Sequence, residues 1–347
     1  MRILLCSHWF YPSVGGVEII SQTLAEQWTA AGCEVTVVTQ TPKGSEQATV
    51  SATFRIVRNP SRTELMKLGR DADIIVQNII SLQTLLPLLA CRRPVVVIHN
   101  SWLRRGDGKR GWENIAKLVF VRMVHNVSIS RAIADGLPVP SDIIGNPFPA
   151  TEFSGLRDRV RNSDLVFLGR LVSDKGCDTL IEALDLLRRR GLRPSLTVIG
   201  DGDEAPALHR MVQNLGMEQQ VSFTGALRAG RANIVALHRV MVVPSRWAEP
   251  FGVVALEGIA SGCAVIASSQ GGLPEASGPC GIFFPNGDSA ALADCIAAVF
   301  NDPALRHRLV EAGPEHLKRF EPEFVANAYL GLFRQWTCGN ASARGVS

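Results

Sequence analysis

No uninterrupted apolar run in this 347-residue chain approaches the roughly 18 to 20 residues that a membrane-spanning helix needs. The longest candidate, residues 79–90, is broken by Ser81, Gln83, Thr84 and Pro87 and is expected to be a buried helix. Cys-x-x-Cys pairs are missing as well: the eight cysteines are scattered at 6, 33, 91, 177, 263, 280, 295 and 338. Metal ligands or a disulfide framework would cluster, so these are expected to be reduced thiols used as small apolar residues. Aromatic residues make up only 6% of the chain, and with no reading module present nucleic acid is not an expected partner. The start, Met1-Arg2-Ile3-Leu4-Leu5-Cys6-Ser7-His8, has neither the long apolar core nor the Ala-x-Ala site of a secretory leader. It reads as the first strand of a mature cytoplasmic protein.

What is present is an enzyme-like composition, 46% hydrophobic and 20% charged, which excludes disorder, collagen and coiled coil. The length is a prior for two domains, each with a sizeable core. Short β-rich runs alternate with longer helical patterns, the signature of α/β parallel sheets covered by helices. Strands are expected at 2–6, 34–39, 54–57, 74–77, 95–99 and 126–129, and a second series at 165–169, 196–199, 221–223, 240–243 and 264–267. Between the series lies Asn146-Pro147-Phe148-Pro149 and then a charged stretch without periodicity. The expected division is a first domain over 1–148, a linker over 149–163 and a second domain over 164–320. Two open sheets of this kind imply a ligand cleft between them, because such sheets bind ligands beyond the carboxyl ends of their strands.

Charge is uneven. Residues 92–131 carry nine basic and two acidic side chains, a net of +7 against +4 for the whole chain. This stretch is either a solvated face or a surface for an anionic membrane or acceptor.

Three segments carry chemistry. The first follows strand one, Phe10-Tyr11-Pro12-Ser13-Val14-Gly15-Gly16-Val17-Glu18. Its paired glycines allow close backbone approach to a ligand, and the helix expected over 17–31 offers N–H groups to an anion; a plain tight turn would explain them too. The second, Phe167-Leu168-Gly169-Arg170-Leu171-Val172-Ser173-Asp174-Lys175-Gly176, places two cations five residues apart in a loop after a strand. Such a pair suits a diphosphate, or is merely solvated. In the third, Val243 to Gly262, Pro250 keeps Glu249 in a loop, while Glu257 is expected two turns into a helix starting near Phe251. The N–H groups of Phe251, Gly252 and Val253 would then face an anion, with a carboxylate on either side for hydroxyls. A nucleotide sugar has that form.

The ordered set, Tyr-Pro-x-x-Gly-Gly-x-Glu at 11–18, the Gly-Arg to Lys-Gly run at 169–176 and Glu249-x7-Glu257 after Pro-Phe-Gly, resembles a family 4 retaining glycosyltransferase of the GT-B fold. Ser128-Ile129-Ser130, Val198 to Gly202, Phe223-Thr224-Gly225 and Gly271-Gly272-Leu273-Pro274-Glu275 extend the likeness over residues 1–320. The resemblance implies two Rossmann-like domains facing across a cleft and a last helix, within 321–347, that crosses back to the first domain before a loose tail. It also implies that Glu257 binds the ribose, Glu249 holds donor-sugar hydroxyls, and Arg170 and Lys175 neutralise the diphosphate with help from Gly15, Gly16 and the amides of 251–253. His99 matches a histidine near the reacting sugar, and Gly225 borders the expected base pocket. Asn100, Ser130, Arg104 and Arg105 are weaker candidates for the acceptor, although Asn100 and Ser130 could equally cap loops or helices.

The implied reaction moves a sugar from a nucleoside diphosphate, UDP before GDP-mannose, to a saccharide or lipid-linked saccharide, in polysaccharide or glycolipid synthesis. No cofactor or metal is expected, since the two Asp-x-Asp matches, at 71–73 and 201–203, read as turns. A peripheral contact with the inner face of the cytoplasmic membrane follows from the basic stretch. A nucleotide-sugar epimerase, a glycosyl phosphorylase or a non-catalytic nucleotide-sugar-binding subunit would be the alternatives.

Overall fold

The computed structural model describes residues 1–11, 15–42, 53–103, 112–227 and 229–342. Two compact units are present: Met1–Pro147 with Phe320–Ser347, and Phe148–Arg319.

The first unit is built on a seven-stranded parallel sheet. Its strands are β1 (Arg2–Ser7), β2 (Glu34–Thr39), β3 (Arg55–Arg58), β4 (Ile74–Asn78), β5 (Val95–His99), β6 (His125–Ser128) and β7 (Asp142–Ile143), in the spatial order β3-β2-β1-β4-β5-β6-β7. Continuous apolar runs such as Val95-Val96-Val97-Ile98 form strands here because a parallel sheet is covered on both faces; every residue of β4 and β5 is buried. Helix Gly16–Ala30 turns Ile20, Leu24 and Trp28, spaced by four, toward the core. Trp28 is fully buried and packs edge-on against Tyr329 and Phe333 of helix Pro322–Ser342, with ring centroids 5.9 and 5.4 Å away. That helix runs through Ser342, so residues 339–342 of the expected tail are helical; 343–347 lie outside the described residues.

The second unit holds β8 (Ser163–Leu168), β9 (Leu196–Ile199), β10 (Val221–Gly225), β11 (His238–Val243), β12 (Ala264–Ser268) and β13 (Gly281–Phe284), in the order β10-β9-β8-β11-β12-β13. Both sheets are parallel throughout and reverse their order once, between β1 and β4 in the first unit and between β8 and β11 in the second. At such a reversal the loops part and a ligand can enter.

Local differences from the sequence expectations have physical causes. The stretch 149–163 belongs to the second unit: Ala150–Phe153 is helical, and Phe153 and Leu156 are buried with Ala232 and Ala236. Within 79–90 only Leu82–Leu89 is helical. Ile79 instead takes φ +75°, a left-handed conformation that costs a β-branched residue roughly 1–3 kcal/mol. Strands β7 and β13 were unexpected; β7 is two residues long, and β13 is a short Gly-Ile-Phe-Phe run. All eight cysteines are free thiols, five of them buried. No helix among the described residues is long and apolar enough to cross a membrane.

Candidate functional site

The reversal point of the second unit gathers most of the residues singled out from the sequence. After β8 the chain passes Gly169 and Arg170 into a short turn, Ser173–Lys175, that ends on Gly176 at φ +66°. A side chain at Gly176 would strike the carbonyl of Pro244, so glycine alone lets this turn close on the loop after β11. Arg246 and Trp247 N–H groups then donate to Asp174 O at 2.9 and 3.2 Å. The result brings Lys175 Nζ within 2.5 Å of Glu249 Oε1. Ser245 Oγ donates to the same oxygen at 2.7 Å. Both of these contacts fall on Oε1, and no described residue donates to Glu249 Oε2.

The position of Glu249 is set by the glycine pair at 271–272. Residue 249 forms an isolated parallel bridge with Gly271, and Gly272 N–H donates to Glu249 O at 2.7 Å. Cβ atoms at Gly271 and Gly272 would collide with the carbonyls of Glu249 and Pro250. The Gly200-Asp201-Gly202 turn supports the Arg170 loop in the same way. Leu171 N–H donates to Asp201 O at 2.9 Å, and a Cβ at Gly200 would strike Gly169 O. Arg170 itself is exposed and has no partner among the described residues. Gly225 ends β10 at φ +73° and accepts from Gly200 N–H at 3.0 Å, and nearby Phe223 packs on His209 with centroids 4.1 Å apart.

The third segment needs one correction. Its helix is Val253–Ala260, capped by Gly252 at φ +104°, so Glu257 lies little more than one turn inside rather than two. Only glycine fits this position, because the conformation is left-handed and the Leu273 side chain occupies the space a Cβ would need. The Phe251 ring is buried, whereas the Val253 and Val254 N–H groups have no intrahelical acceptor and sit at the positive end of the helix. Glu257 is 8% exposed, and Arg231 Nη2 donates to its Oε1 at 3.2 Å while holding Glu152 Oε2 at 3.1 Å. Burial pushes the Glu257 carboxyl up to about 7, against the opposing pull of Arg231. Ser245, Arg231 and Glu152 escaped sequence reasoning. Ser245 stands four residues before Glu249 in the motif loop, but Arg231 and Glu152 carry no local signal.

In the first unit, His99 ends β5 almost wholly buried, with Nε2 2.9 Å from Asn126 Oδ1. The Asn126 amide nitrogen donates to Val121 O and Val124 O, so its oxygen faces the ring. His99 therefore carries its proton on Nε2 and presents Nδ1 as the acceptor. Burial lowers its pKa below the ordinary value, outweighing the Asn126 bond, and keeps the ring neutral. Next to it, Asn100 is committed within the framework: it donates to Asn78 Oδ1 and accepts from Asn146 Nδ2 at 3.0 Å. Asn78 in turn reaches Ser21, which lies 2.9 Å from Ser7 and donates to Val17 O. This buried polar chain ties the ends of β1, β4 and β5 to the start of helix Gly16–Ala30, where Gly15 is the N-cap in extended conformation and Gly16 has open space around it. Ser130 caps helix Arg131–Asp135 through Ile133 N–H at 3.3 Å. Arg104 and Arg105 lie outside the described residues.

Both Asp-x-Asp matches do structural work. Asp73 pairs with Arg2 at 3.0 Å, and Asp201 accepts from Gly202 N–H at 2.8 Å. Among the described residues no group of three His, Cys, Asp or Glu side chains is placed to hold a metal ion.

Known proteins resemble this chain in sequence and in fold. Residues 152–316 match the family model of glycosyl transferases group 1. Over 186 residues the chain is 33% identical to the glycogen synthase of Mycobacterium tuberculosis (strain CDC 1551 / Oshkosh), covering 52% of this chain and 44% of that protein. Over 319 residues it is 28% identical to the GDP-mannose-dependent alpha-(1-6)-phosphatidylinositol monomannoside mannosyltransferase of the same strain, covering 79% and 82%. The chain spans about half the length of the first curated relatives it matches, the glycogen synthase among them. HepE of Anabaena in complex with UDP matches with a TM-score of 0.80 at 20% identity, over 96% of this chain and 100% of that one. The same protein with UDP-glucose matches with a TM-score of 0.76, also at 20% identity, over 96% and 100%. Residues 152–316 are thus similar to the glycosyl transferases group 1, and the two Rossmann-like units of the chain are those of the GT-B fold.

Proposed function

We propose that this protein transfers a sugar from a nucleoside diphosphate sugar, a UDP-sugar before GDP-mannose, to a saccharide or lipid-linked saccharide acceptor, with retention at the anomeric carbon and without a metal. The observation that carries the reading is the Lys175–Glu249 contact, which sets a cation and a carboxylate side by side near the helix start at Val253. Lys175 and Arg170 take up the diphosphate charge as the anomeric C–O bond breaks, with the helix start aiding them. Glu249 Oε2 accepts from donor-sugar hydroxyls, and Glu257 accepts from the ribose. The acceptor oxygen bonds to the anomeric carbon on the face the diphosphate leaves, and the acceptor's proton passes to the leaving phosphate oxygen. Glu249 thus orients and stabilises without forming a covalent bond. His99, neutral with Nδ1 as acceptor, receives a hydrogen bond from a sugar hydroxyl.

UDP stands first because HepE binds it, and GDP-mannose second because the mycobacterial mannosyltransferase depends on it. A cytoplasmic location with peripheral contact at an anionic membrane belongs to the same reading. Support comes from helix Trp112–Phe120 and the turn after it, where Ile115, Val119 and Met123 are exposed at spacings of four beside exposed Arg122. The test is a thermal-shift screen of nucleotide sugars, followed by turnover of the best binder and NMR of the product anomer. Stabilisation by a UDP-sugar and a retained anomer are expected; no stabilisation by any nucleotide sugar, or an inverted product, overturns the proposal.

A further inference from the structure

Glu257 does not hold its cation alone. Arg231 Nη2 lies 3.2 Å from Glu257 Oε1 and 3.1 Å from Glu152 Oε2, so two carboxylates divide one nitrogen. An arginine in a strong pair grips a carboxylate with two nitrogens side by side. Here neither carboxylate receives that fork, and the Arg231 Nε–H is buried with no acceptor among the described residues, an arrangement that costs stability.

Packing imposes the division. Glu152 stands on Ala150–Phe153, the first helix of the second unit, Arg231 begins the helix Arg231–Val235, and Glu257 lies in Val253–Ala260. Phe153, Ala232 and Ala260, one from each helix, belong to a single apolar cluster with Leu156 and Ala236. The three charged groups are thereby held together by the core beneath them. Other elements packed on the helix of Glu257 bring His238 and Arg239 on β11, Glu275 on Leu273–Ser277, and Glu315 and His316 on Gly313–Leu317. His238 is engaged by Ile234 O and Thr197, Arg239 by Asp164, Glu315 by Lys318 and His316 by Ala276 O. The charges that bear on the Glu257 carboxyl are those of Arg231 and Glu152, and they pull in opposite directions.

We infer that Glu152, which touches no substrate in the proposed reaction, is a positioning residue for nucleotide binding: by claiming a share of Arg231 it weakens the cation's hold on Glu257 and sets when that carboxylate is ionised for a ribose. The inference rests on the transferase reading for the ribose and on the geometry of the three side chains for the rest. Glu152→Gln removes a like charge and leaves Arg231 wholly to Glu257, so Glu257 should ionise at lower pH. Arg231→Met removes the cation, so Glu257 should ionise at higher pH. Three side chains with a merely structural role would lose stability in either variant without this opposition of sign.

The full-length protein, labelled with ¹³C at the glutamate carboxyls, is titrated by NMR, the Glu257 signal being identified with Glu257→Gln. The wild-type midpoint is expected at about 7, with Glu152→Gln below it and Arg231→Met above. Glu152→Gln is isosteric at a side chain one-third exposed, and its direction decides the matter by itself if Arg231→Met does not fold. Binding of UDP-glucose and of GDP-mannose, whose diphosphate bridges have no group titrating near neutrality, is followed by calorimetry over the same range. On the acid side of the midpoint Glu152→Gln should bind about three- to tenfold more tightly than wild type, and the difference should vanish in a Glu257→Gln background. A Glu257 midpoint that Glu152→Gln leaves in place or raises overturns the inference, as does a midpoint that moves while nucleotide-sugar affinity does not. If nucleotide sugars bind and turn over with the midpoint unmoved, the role of Glu152 fails and the transferase reading stands. If no nucleotide sugar binds at any pH, the transferase reading fails, and opposed midpoints retain Glu152 as the group that sets the ionisation of Glu257, without the ribose.

Discussion

Lys175 Nζ and Ser245 Oγ converge on the same oxygen of Glu249, at 2.5 and 2.7 Å, so the carboxylate is gripped on one side and open on the other. Lys175→Met removes the charge and leaves Glu249, whose side chain is 12% exposed, with one neutral partner. Donor turnover should fall roughly 10²- to 10³-fold, the scale of losing one preorganised electrostatic contact. Glu249→Gln should lower turnover as well without trapping a glycosyl-enzyme, which mass spectrometry of the intact protein would reveal.

Arg170 and Gly200 offer a contrast between chemistry and scaffold. Exposed Arg170 can be replaced by alanine with unfolding stability changed by no more than about 0.5 kcal/mol, yet affinity for a nucleoside diphosphate should drop about tenfold or more. Gly200→Ala places a methyl group against Gly169 O at φ +150°. It should cost on the order of 2–4 kcal/mol by denaturant unfolding and impair binding through the displaced loop.

Glu257 predicts a pH dependence. Its carboxyl, near 4.5 when solvated, is raised to about 7 by burial, so the stability that its neutral form contributes is present below pH 4.5 and is lost as pH rises through 7. Glu257→Gln should flatten the wild-type stability profile between those limits. In nucleotide binding the order reverses, because ribose hydroxyls donate best to the ionised carboxylate. Wild-type affinity for a nucleoside diphosphate should rise across pH 7 more steeply than that of Glu257→Gln, measured by calorimetry. Removing the Arg231 charge should move this step to higher pH.

The His99 imidazole should remain neutral below its ordinary pKa, with the proton on Nε2. Its ¹⁵N shifts across a pH titration check both statements, and Asn126→Leu should depress the pKa further by removing the bond that favours the charged ring.

Asn100→Ala would orphan buried amide groups of Asn78 and Asn146 together. A loss of about 2–4 kcal/mol in unfolding free energy is expected. Any fall in activity in that variant therefore measures the framework before it measures an acceptor contact.

Legibility in the sequence followed the range of the cause. Val95-Val96-Val97-Ile98 declares a buried strand by itself, and Pro250 keeps Glu249 out of a helix by local sterics alone. The start of the next helix was misplaced by two residues: Gly252 forms a left-handed cap before Val253, at a place where Leu273, twenty-one positions on, leaves no room for a side chain. Arg231 and Glu152 meet Glu257 through tertiary packing, and the left-handed turn at Ile79 depends on Ile98. None of these leaves a periodicity or spacing to read. The clustering of Gly169, Arg170, Lys175 and Gly176 was legible because they are neighbours in one loop.

Trp28 has a consequence for how the chain is made. Its indole is buried against Tyr329 and Phe333, and its Nε1–H donates to Ala326 O at 3.3 Å. The first unit therefore waits, during synthesis, for a helix some three hundred residues downstream, while Phe148–Arg319 is complete before that helix is translated. On the ribosome the second unit can fold first and the earlier-made half last, since the Trp28 face of Gly16–Ala30 is covered only once the last helix has been made.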